Sequence, residues 1–249
     1  MLSVVIITKN EAHAISDCLR SVAWAEEIII VDSGSTDGTV DICQKLGAKI
    51  NVTEDWPGFG KQKNRALALA SQPWILSIDA DERITPELQE EIKQVIATNA
   101  NASYRMPRSS SYCGQFINHS GWAPDYITRL FKRGCGEFSE DLVHERLLTQ
   151  HPTLTLKNPL LHISYINLEE VLDKVNRYST AGAEMSFTNG NSATLSKAIG
   201  HGIWAFIRTY FIRLGFLDGK MGFVLAFSNA ETTYYRYLKL TFLNQDNVK

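Results

Sequence analysis

The chain has 249 residues, 44% hydrophobic and 21% charged, ordinary proportions for a globular protein built as one large domain or as one domain with an appended helical segment. Its formal net charge of −2 lacks the basic footprint of a nucleic-acid-binding protein, so no nucleic-acid partner is expected. Cys18, Cys43, Cys113 and Cys135 form no close C-x-x-C pair, which argues against a zinc or redox site and for free, mostly buried thiols.

The first apolar run, Met1 to Thr8, has no cationic leader and is too short for a secretory signal, so a cytoplasmic protein is expected. Val4 to Ile7 reads as a buried strand, Glu11 to Val22 as a helix, Glu27 to Val31 as a strand and Thr39 to Leu46 as a helix. Ala48 to Val52 is a weaker strand, Lys61 to Ser71 a helix with Ala and Leu on one face, and Trp74 to Ile78 a fourth strand. Thr85 supplies an N-cap with Pro86 at the first helical position, opening a helix that runs to about Thr98. This βαβα order predicts an α/β fold with a mostly parallel sheet flanked by helices on both faces.

From Ser103 to Ile163 the pattern is irregular, with short strand candidates at Tyr104–Met106, Tyr126–Phe131 and Leu154–Leu156. A polar helix follows from Leu168 to about Ser186, then a turn cluster over Thr188–Ser192. Beyond it Ile203, Phe206, Ile207, Tyr210, Phe211 and Leu214 recur at helical spacing, with Arg208 and Arg213 at the margins of that face. Between Lys197 and Lys239 six Lys/Arg stand against Asp218 and Glu231, an excess of four positive charges. Such a face packs on the rest of the protein or lies on a membrane surface. No window holds eighteen uncharged apolar residues, so a spanning helix is not expected.

In sheets of this kind ligands bind beyond the carboxyl ends of the strands. Three polar clusters fall there: Thr8-Lys9-Asn10-Glu11, Asp32-Ser33-Gly34-Ser35-Thr36-Asp37-Gly38 and Asp79-Ala80-Asp81-Glu82. Paired carboxylates one residue apart at a strand end offer hard oxygen ligands to a divalent cation and, through it, to a phosphate. The alternative for each cluster is a capping or solvated turn.

Together the runs Val4 to Glu11, Ile28 to Thr39 and Asp79 to Glu82 resemble family 2 of the GT-A glycosyltransferases, over at least residues 1 to 150. The resemblance implies a Rossmann-like GT-A sheet with a C-terminal helical extension, a nucleotide-sugar donor and inversion at the anomeric carbon. Residues 1–165 then form the catalytic domain, 1–100 its nucleotide-binding half and 101–165 its acceptor half, and 166–249 a helical region that associates with membrane. Thr8, Asn10, Glu11, Asp32 and Asp79 are donor-binding candidates. Lys61 and Arg65, one helical turn apart beside Gly58-Phe59-Gly60, contact the diphosphate or base, or form a solvated helix face. The resemblance makes Asp81 the main ligand of Mg²⁺ or Mn²⁺, with Asp79 facing the ribose or the metal through water.

Inverting transfer also needs a carboxylate that takes the proton of the attacking hydroxyl. In Glu137 to Arg146 the candidates are Glu145 and Asp141, with His144 a metal or diphosphate contact; a charged helix start is the plainer reading. Trp122, followed by Asp125, belongs to an acceptor-side loop, where it stacks on a sugar ring or packs in the core. Gly215 to Phe223 resembles the C-terminal signature of bacterial lipopolysaccharide core β-1,4-glucosyltransferases. That finer likeness implies a metal-dependent hexosyltransferase moving glucose from UDP-glucose to a heptose on a lipid-anchored glycan. It would work peripherally at the inner face of the bacterial inner membrane. Transfer to another glycan or to an isoprenoid-linked carrier, a nucleotidyltransferase and an inactive nucleotide-sugar-binding protein are the alternatives. A nucleotidyltransferase normally has a Gly-rich phosphate loop after its first strand, and Thr8 to Glu11 contains no glycine. Oligomeric state is not legible.

Overall fold

The computed structural model describes residues 1–140 and 145–246. The strands are β1 (Leu2–Thr8), β2 (Glu27–Asp32), β3 (Lys49–Val52), β4 (Trp74–Ser77), β5 (Glu82–Ile84), β6 (Ser103–Tyr112), β7 (Gln115–Phe116), β8 (Tyr126–Lys132), β9 (Gly136–Phe138), β10 (Leu147–Thr149), β11 (Thr153–Thr155) and β12 (Leu160–Tyr165). The helices are α1 (Ile15–Ser21), α2 (Thr39–Lys45), α3 (Phe59–Leu69), α4 (Pro86–Thr98), α5 (Leu168–Thr188), α6 (Leu195–Ile207) and α7 (Gly219–Asp246). They gather into two compact units, Met1–Arg108 with Asp125–His162, and Ser109–Pro124 with Ile163–Lys249.

The first unit is the α/β unit that the sequence predicts. β3, β2, β1 and β4 lie side by side and parallel, after which β8 pairs antiparallel with β4 and the sheet becomes mixed. Val4 and Ile6 face one hydrophobic cluster with Ile15, Leu19, Leu88 and Ile92, whereas Val5 and Ile7 face another with Ala66 of α3 and Ala70 just after it. Strands covered on both faces read as continuous apolar runs, which is why β1 and β2 are the plainest elements in the sequence. Each side chain so buried contributes about 1.5–3 kcal/mol.

Local chemistry sets the element ends. Thr85 caps α4 as expected, its Oγ1 accepting from Leu88 N at 3.1 Å with Pro86 in the first turn. α1 starts four residues later than predicted because Asn10 adopts φ +58° and Glu11 N is held by Thr39 Oγ1 at 2.8 Å. The register Thr8↔Asp32 between β1 and β2 brings two of the polar clusters to one edge. Ile78 N, donating to Val5 O at 3.2 Å, carries β4 toward the same edge.

The second unit is mainly helical, with a core of Tyr112, Ile117, Val171, Val175 and Leu225. α6 passes into a π turn over Arg208–Ile212 and a 3₁₀ turn over Gly215–Asp218 before α7 begins. The apolar face expected around Ile203 exists, and Ile203, Ile207, Phe211 and Leu214 on it are exposed. Among the described residues no helix is long and apolar enough to cross a membrane.

Candidate active site

Two strand-end loops build the carboxyl edge of the parallel strands. In the first, Asp32 is fully buried and its carboxylate takes four hydrogen bonds: from Gly34 N (3.0 Å) and Ser35 N (2.7 Å) to Oδ1, and from Thr8 Oγ1 (2.7 Å) and Ser35 Oγ (2.6 Å) to Oδ2. Gly34 at φ +79° and Gly38 at φ +92° allow the chain to turn back around it. Asn10 zips the β1 loop onto this one, donating its N–H to Ser35 Oγ at 2.8 Å and accepting from Thr36 N at 2.9 Å. Beside Thr8, Lys9 and Glu11 opens a cleft of about 370 Å³ walled by Trp56 and Phe59, two exposed rings set edge to face at 4.8 Å.

The second loop, after β4, is dominated by charge. Lys63 of α3, itself buried, reaches Asp79 Oδ1 at 3.0 Å and Glu145 Oε1 at 2.8 Å. Arg129 of β8 bonds the other oxygen of Asp79 and also Glu82 Oε1 at 2.6 Å. Burial works against the charged form of Asp79, but Arg129 and Lys63 outweigh it and hold the carboxyl well below the usual range. For Glu82, which is fully buried, burial wins over the pull of Arg129 and pushes its pKa up. The turn is tightened by Asp79 N on Glu82 Oε2 at 2.9 Å and by Arg83, whose guanidinium bonds Ala80 O (2.8 Å) and Ala14 O (2.6 Å).

Asp81 differs from both Asp32 and Asp79. Its side chain is 34% exposed, and Oδ2 meets His162 Nε2 of β12 at 3.2 Å. His162 arrives through the antiparallel pairing of β12 with β5, in which it sits opposite Glu82. Lys63, Asp79, Arg108, Arg129 and Glu145 line a cleft of about 590 Å³. Among the charged residues that line it, Lys63, Arg108, Arg129 and Arg146 outnumber Asp79 and Glu145 by two. Such an excess of cations favours an anionic group in the cleft.

The structure therefore brings Asp79 and Glu145 together on Lys63, sets Asp81 on His162 two residues further along, and gives other candidates different partners. Lys61 is exposed and lies 3.3 Å from Glu140, while Arg65 makes a bidentate pair with Asp55 at 2.8 Å on each arm. Asp125 is held by Arg108, at 2.8 Å from Nε and 2.7 Å from Nη2. In the second unit one face of the Trp122 indole stacks on Tyr165 at 6.0 Å and its edge meets Tyr112 at 5.8 Å, a packing environment. Asp141 and His144 lie outside the described residues.

Lys63, Arg108, Arg129 and His162 were not singled out from the sequence. The available signal for Lys63 was the run Gly58-Phe59-Gly60-Lys61-Gln62-Lys63-Asn64. A Cβ on Gly60 would meet Ser139 O at 1.9 Å, and Asn64 brackets Phe138 with bonds of 2.9 Å to its carbonyl and 2.8 Å from its N–H. These contacts fix which face of α3 turns inward.

The profile of glycosyl transferase family 2 matches residues 3–149. The chain belongs to that family. Over its full length this family 2 glycosyltransferase is 32% identical to an uncharacterized glycosyltransferase of Rickettsia conorii, covering 91% of that protein. Over 95% of its length it is 32% identical to the lipopolysaccharide core biosynthesis glycosyltransferase LpsC of Rhizobium meliloti, covering 93% of LpsC. S. aureus TarS 1–349 in complex with UDP aligns over 99% of this chain and 91% of its own, with 16% identity and a TM-score of 0.49.

Among the described residues no group of three or more His, Cys, Asp or Glu side chains is placed to hold a metal ion. The residues present fit an open site instead. Asp81 and His162 offer one carboxylate and one imidazole side by side, and a hard cation held by one or two protein ligands completes its shell with phosphate oxygens and water. Asp79, with both oxygens already on cations, is better suited to holding Lys63 and Arg129 in place.

Proposed function

We propose that this family 2 glycosyltransferase moves a hexose, glucose from UDP-glucose, onto a heptose of the lipopolysaccharide inner core with inversion. The observation that carries the reading is the charged cluster at the end of β4: an Asp81–His162 pair two residues on from Asp79, which shares Lys63 with Glu145 over one cleft. The acceptor is inferred from the whole-length likeness to LpsC.

In this reading the base of the donor enters the cleft beside Thr8 and Glu11, against Trp56 and Phe59, whose exposed rings suit a flat heterocycle. Glu11 and the backbone of the zipped β1 and β2 loops face the nucleoside. Asp32 keeps those loops in shape through its four bonds, and Asn10 locks one to the other. Asp81 and His162 would hold Mg²⁺ or Mn²⁺, which would supply Lewis-acid neutralisation of the leaving diphosphate. Lys63 and Arg129 add fixed positive charge on the same side, where negative charge grows as the anomeric bond to the diphosphate breaks. Glu145, held by Lys63 at 2.8 Å, takes the proton of the acceptor hydroxyl as the new glycosidic bond forms on the opposite face of the sugar. A lipid-anchored acceptor places the protein peripherally at the inner face of the bacterial inner membrane.

Incubation with heptose-terminated core lipid and a panel of UDP-sugars tests the reading, with UDP release and the mass of the lipid as readouts. Gain of one hexose from UDP-glucose is expected. No transfer to that lipid from any donor overturns the acceptor, and transfer only to another glycan or to an isoprenoid-linked carrier replaces it.

A further inference from the structure

The second unit carries a surface that glycosyl transfer does not use. In α6 the small residues Ala198, Gly202 and Ala205, and Thr209 just after them, are buried at helical spacing, and a Cβ on Gly202 would press on Tyr234 Cβ at 3.1 Å. The large apolar side chains point the other way. Trp204, Phe211, Ile212 and Leu217 are 53–59% exposed, with Ile203, Leu214 and Phe216 beside them in the same category. A soluble helix ordinarily has the reverse arrangement, large apolar groups inside and polar groups out. Between α6 and α7 the same surface continues into an apolar groove of about 580 Å³, lined by Ile203, Phe206 and Phe223 among others.

Charge identifies the partner. From Leu195 to Ala230 every exposed ionisable side chain is a cation: Lys197, Arg208, Arg213 and Lys220. Asp218, the acid of that stretch, is buried, where it accepts from Asn118 N (3.0 Å), His119 N (3.0 Å) and Ser120 Oγ (2.9 Å). Those bonds pin the base of the 3₁₀ turn, so Leu214, Phe216 and Leu217 project from a fixed support. An exposed apolar tip flanked by Lys197, Arg208, Arg213 and Lys220, with Glu231 the one acid lining the groove behind it, is complementary to an anionic bilayer surface. A second copy would present the same cations to each other.

We propose that the turn joining α6 to α7, Ile203 to Phe223, is a lipid-inserting tip that seats the chain on anionic phospholipid, with Trp204, Phe211, Leu214, Phe216 and Leu217 in the acyl–headgroup boundary and Arg208 and Lys220 among the phosphates. The proposal deepens the membrane-face reading above and takes its purpose from it, since a lipid-anchored acceptor must be met at the bilayer.

The full-length protein is sedimented with vesicles of phosphatidylcholine alone or of phosphatidylcholine with phosphatidylglycerol, without donor. Partition onto the anionic vesicles is expected, weakening with added salt. Phe216→Ser with Leu217→Ser should lower it at least tenfold. Arg208→Gln and Lys220→Gln should lower it about fivefold each at low salt. In the unaltered protein, acyl-brominated lipid should quench a part of the fluorescence that Trp204→Phe removes, a measurement that needs no surface-disrupting variant. The proposal is overturned by wild-type protein that stays in the supernatant, by serine variants that partition unchanged, or by concentration-dependent self-association in place of vesicle binding. Metal-dependent release of UDP in vesicle-free solution reports separately on the transferase reading, so the two fail independently.

Discussion

Asp32, the last residue of β2, and Asp81, four residues after β4, are carboxylates at the same edge of the same sheet, yet they live in opposite states. Asp32 is sealed from solvent and saturated by four donors from its own loop and the neighbouring strand β1. Asp81 stands partly in solvent with Oδ2 on an imidazole, and its Oδ1 receives no hydrogen bond from the described residues. A saturated carboxylate has spent its acceptor capacity on shaping the backbone, whereas an open one retains it for a ligand. Strand-end position alone therefore does not make an acid reactive; the number of its lone pairs left unused does.

The sharpest way to break this contrast is to neutralise the open acid. Asp81→Asn keeps size and removes charge, so turnover should fall about 10³-fold if the residue stabilises the leaving diphosphate through a cation. Because Asp81 is partly exposed, the melting temperature should hardly move. Turnover within tenfold of wild type at saturating Mn²⁺ would place the cation elsewhere.

The saturated acid should behave in the reverse manner. Asp32→Ala removes the buried acceptor of two backbone N–H groups and two hydroxyls, a cost of about 3 kcal/mol, and should lower Tm by roughly 10 °C. Donor affinity should drop with it, because the loop that Asn10 is zipped onto loses its centre. A variant as stable as wild type but blind to donor would reverse the assignment and make Asp32 a direct ligand contact.

What could be read from sequence divides along the same physical line. β1, β2 and the acids at their ends were legible because a strand buried on both faces leaves an unbroken apolar run, and the first polar residue after it marks the edge. Lys63 was not. In α3, Lys61 and Arg65 share one face one turn apart and Lys63 points roughly the opposite way, so helical spacing favoured the pair that the structure leaves at Glu140 and Asp55. Which face turns inward depends on Gly60 passing under Ser139 and on Asn64 bracketing Phe138, contacts between residues more than seventy positions apart. His162 was hidden for the same reason: β12 joins β5 across the sequence, and the irregular stretch from 103 to 163 offers no period that announces the pairing. The apolar face around Ile203 was visible as a period, but nothing in a period tells a buried face from an exposed one.

The other end of β2 sharpens the comparison further, for it carries an acid where no ligand is expected. Glu27, at the amino edge, is buried and saturated by Lys49 Nζ (2.8 Å), Ser71 N (2.8 Å), Ser71 Oγ (3.0 Å) and Ser3 Oγ. Burial opposes its charge, yet the bonds from Lys49, Ser3 and Ser71 win and lower its pKa from 4.5 to about 2. A carboxyl lower in the folded than in the unfolded state stabilises the fold above its unfolded pKa and loses that contribution as pH falls toward the folded value. Glu27→Gln should therefore cost roughly 2 kcal/mol at neutral pH. The gap between variant and wild type should close between pH 4.5 and about 2, as denaturant titrations at each pH would measure. A gap independent of pH would mean that shape, and not charge, is what Glu27 contributes.

The smallest effect is expected at Arg65, and it tests whether the contrast between open and engaged groups extends to cations. Its guanidinium is bound on both arms by Asp55 at the surface, in a pair whose acid is held below its ordinary pKa chiefly by that hydrogen bonding. Exposed pairs of this kind contribute little to stability, and a guanidinium already matched to a carboxylate gains little by exchanging it for a phosphate. Arg65→Ala should leave the donor KM and kcat within about a factor of two of wild type. Lys63, facing the cleft with two acids around one ammonium, is the cation that a diphosphate would meet. A tenfold rise in donor KM for Arg65→Ala would show that the Asp55 pair opens when donor arrives, and that engagement in the free protein is a poor guide to engagement in the complex.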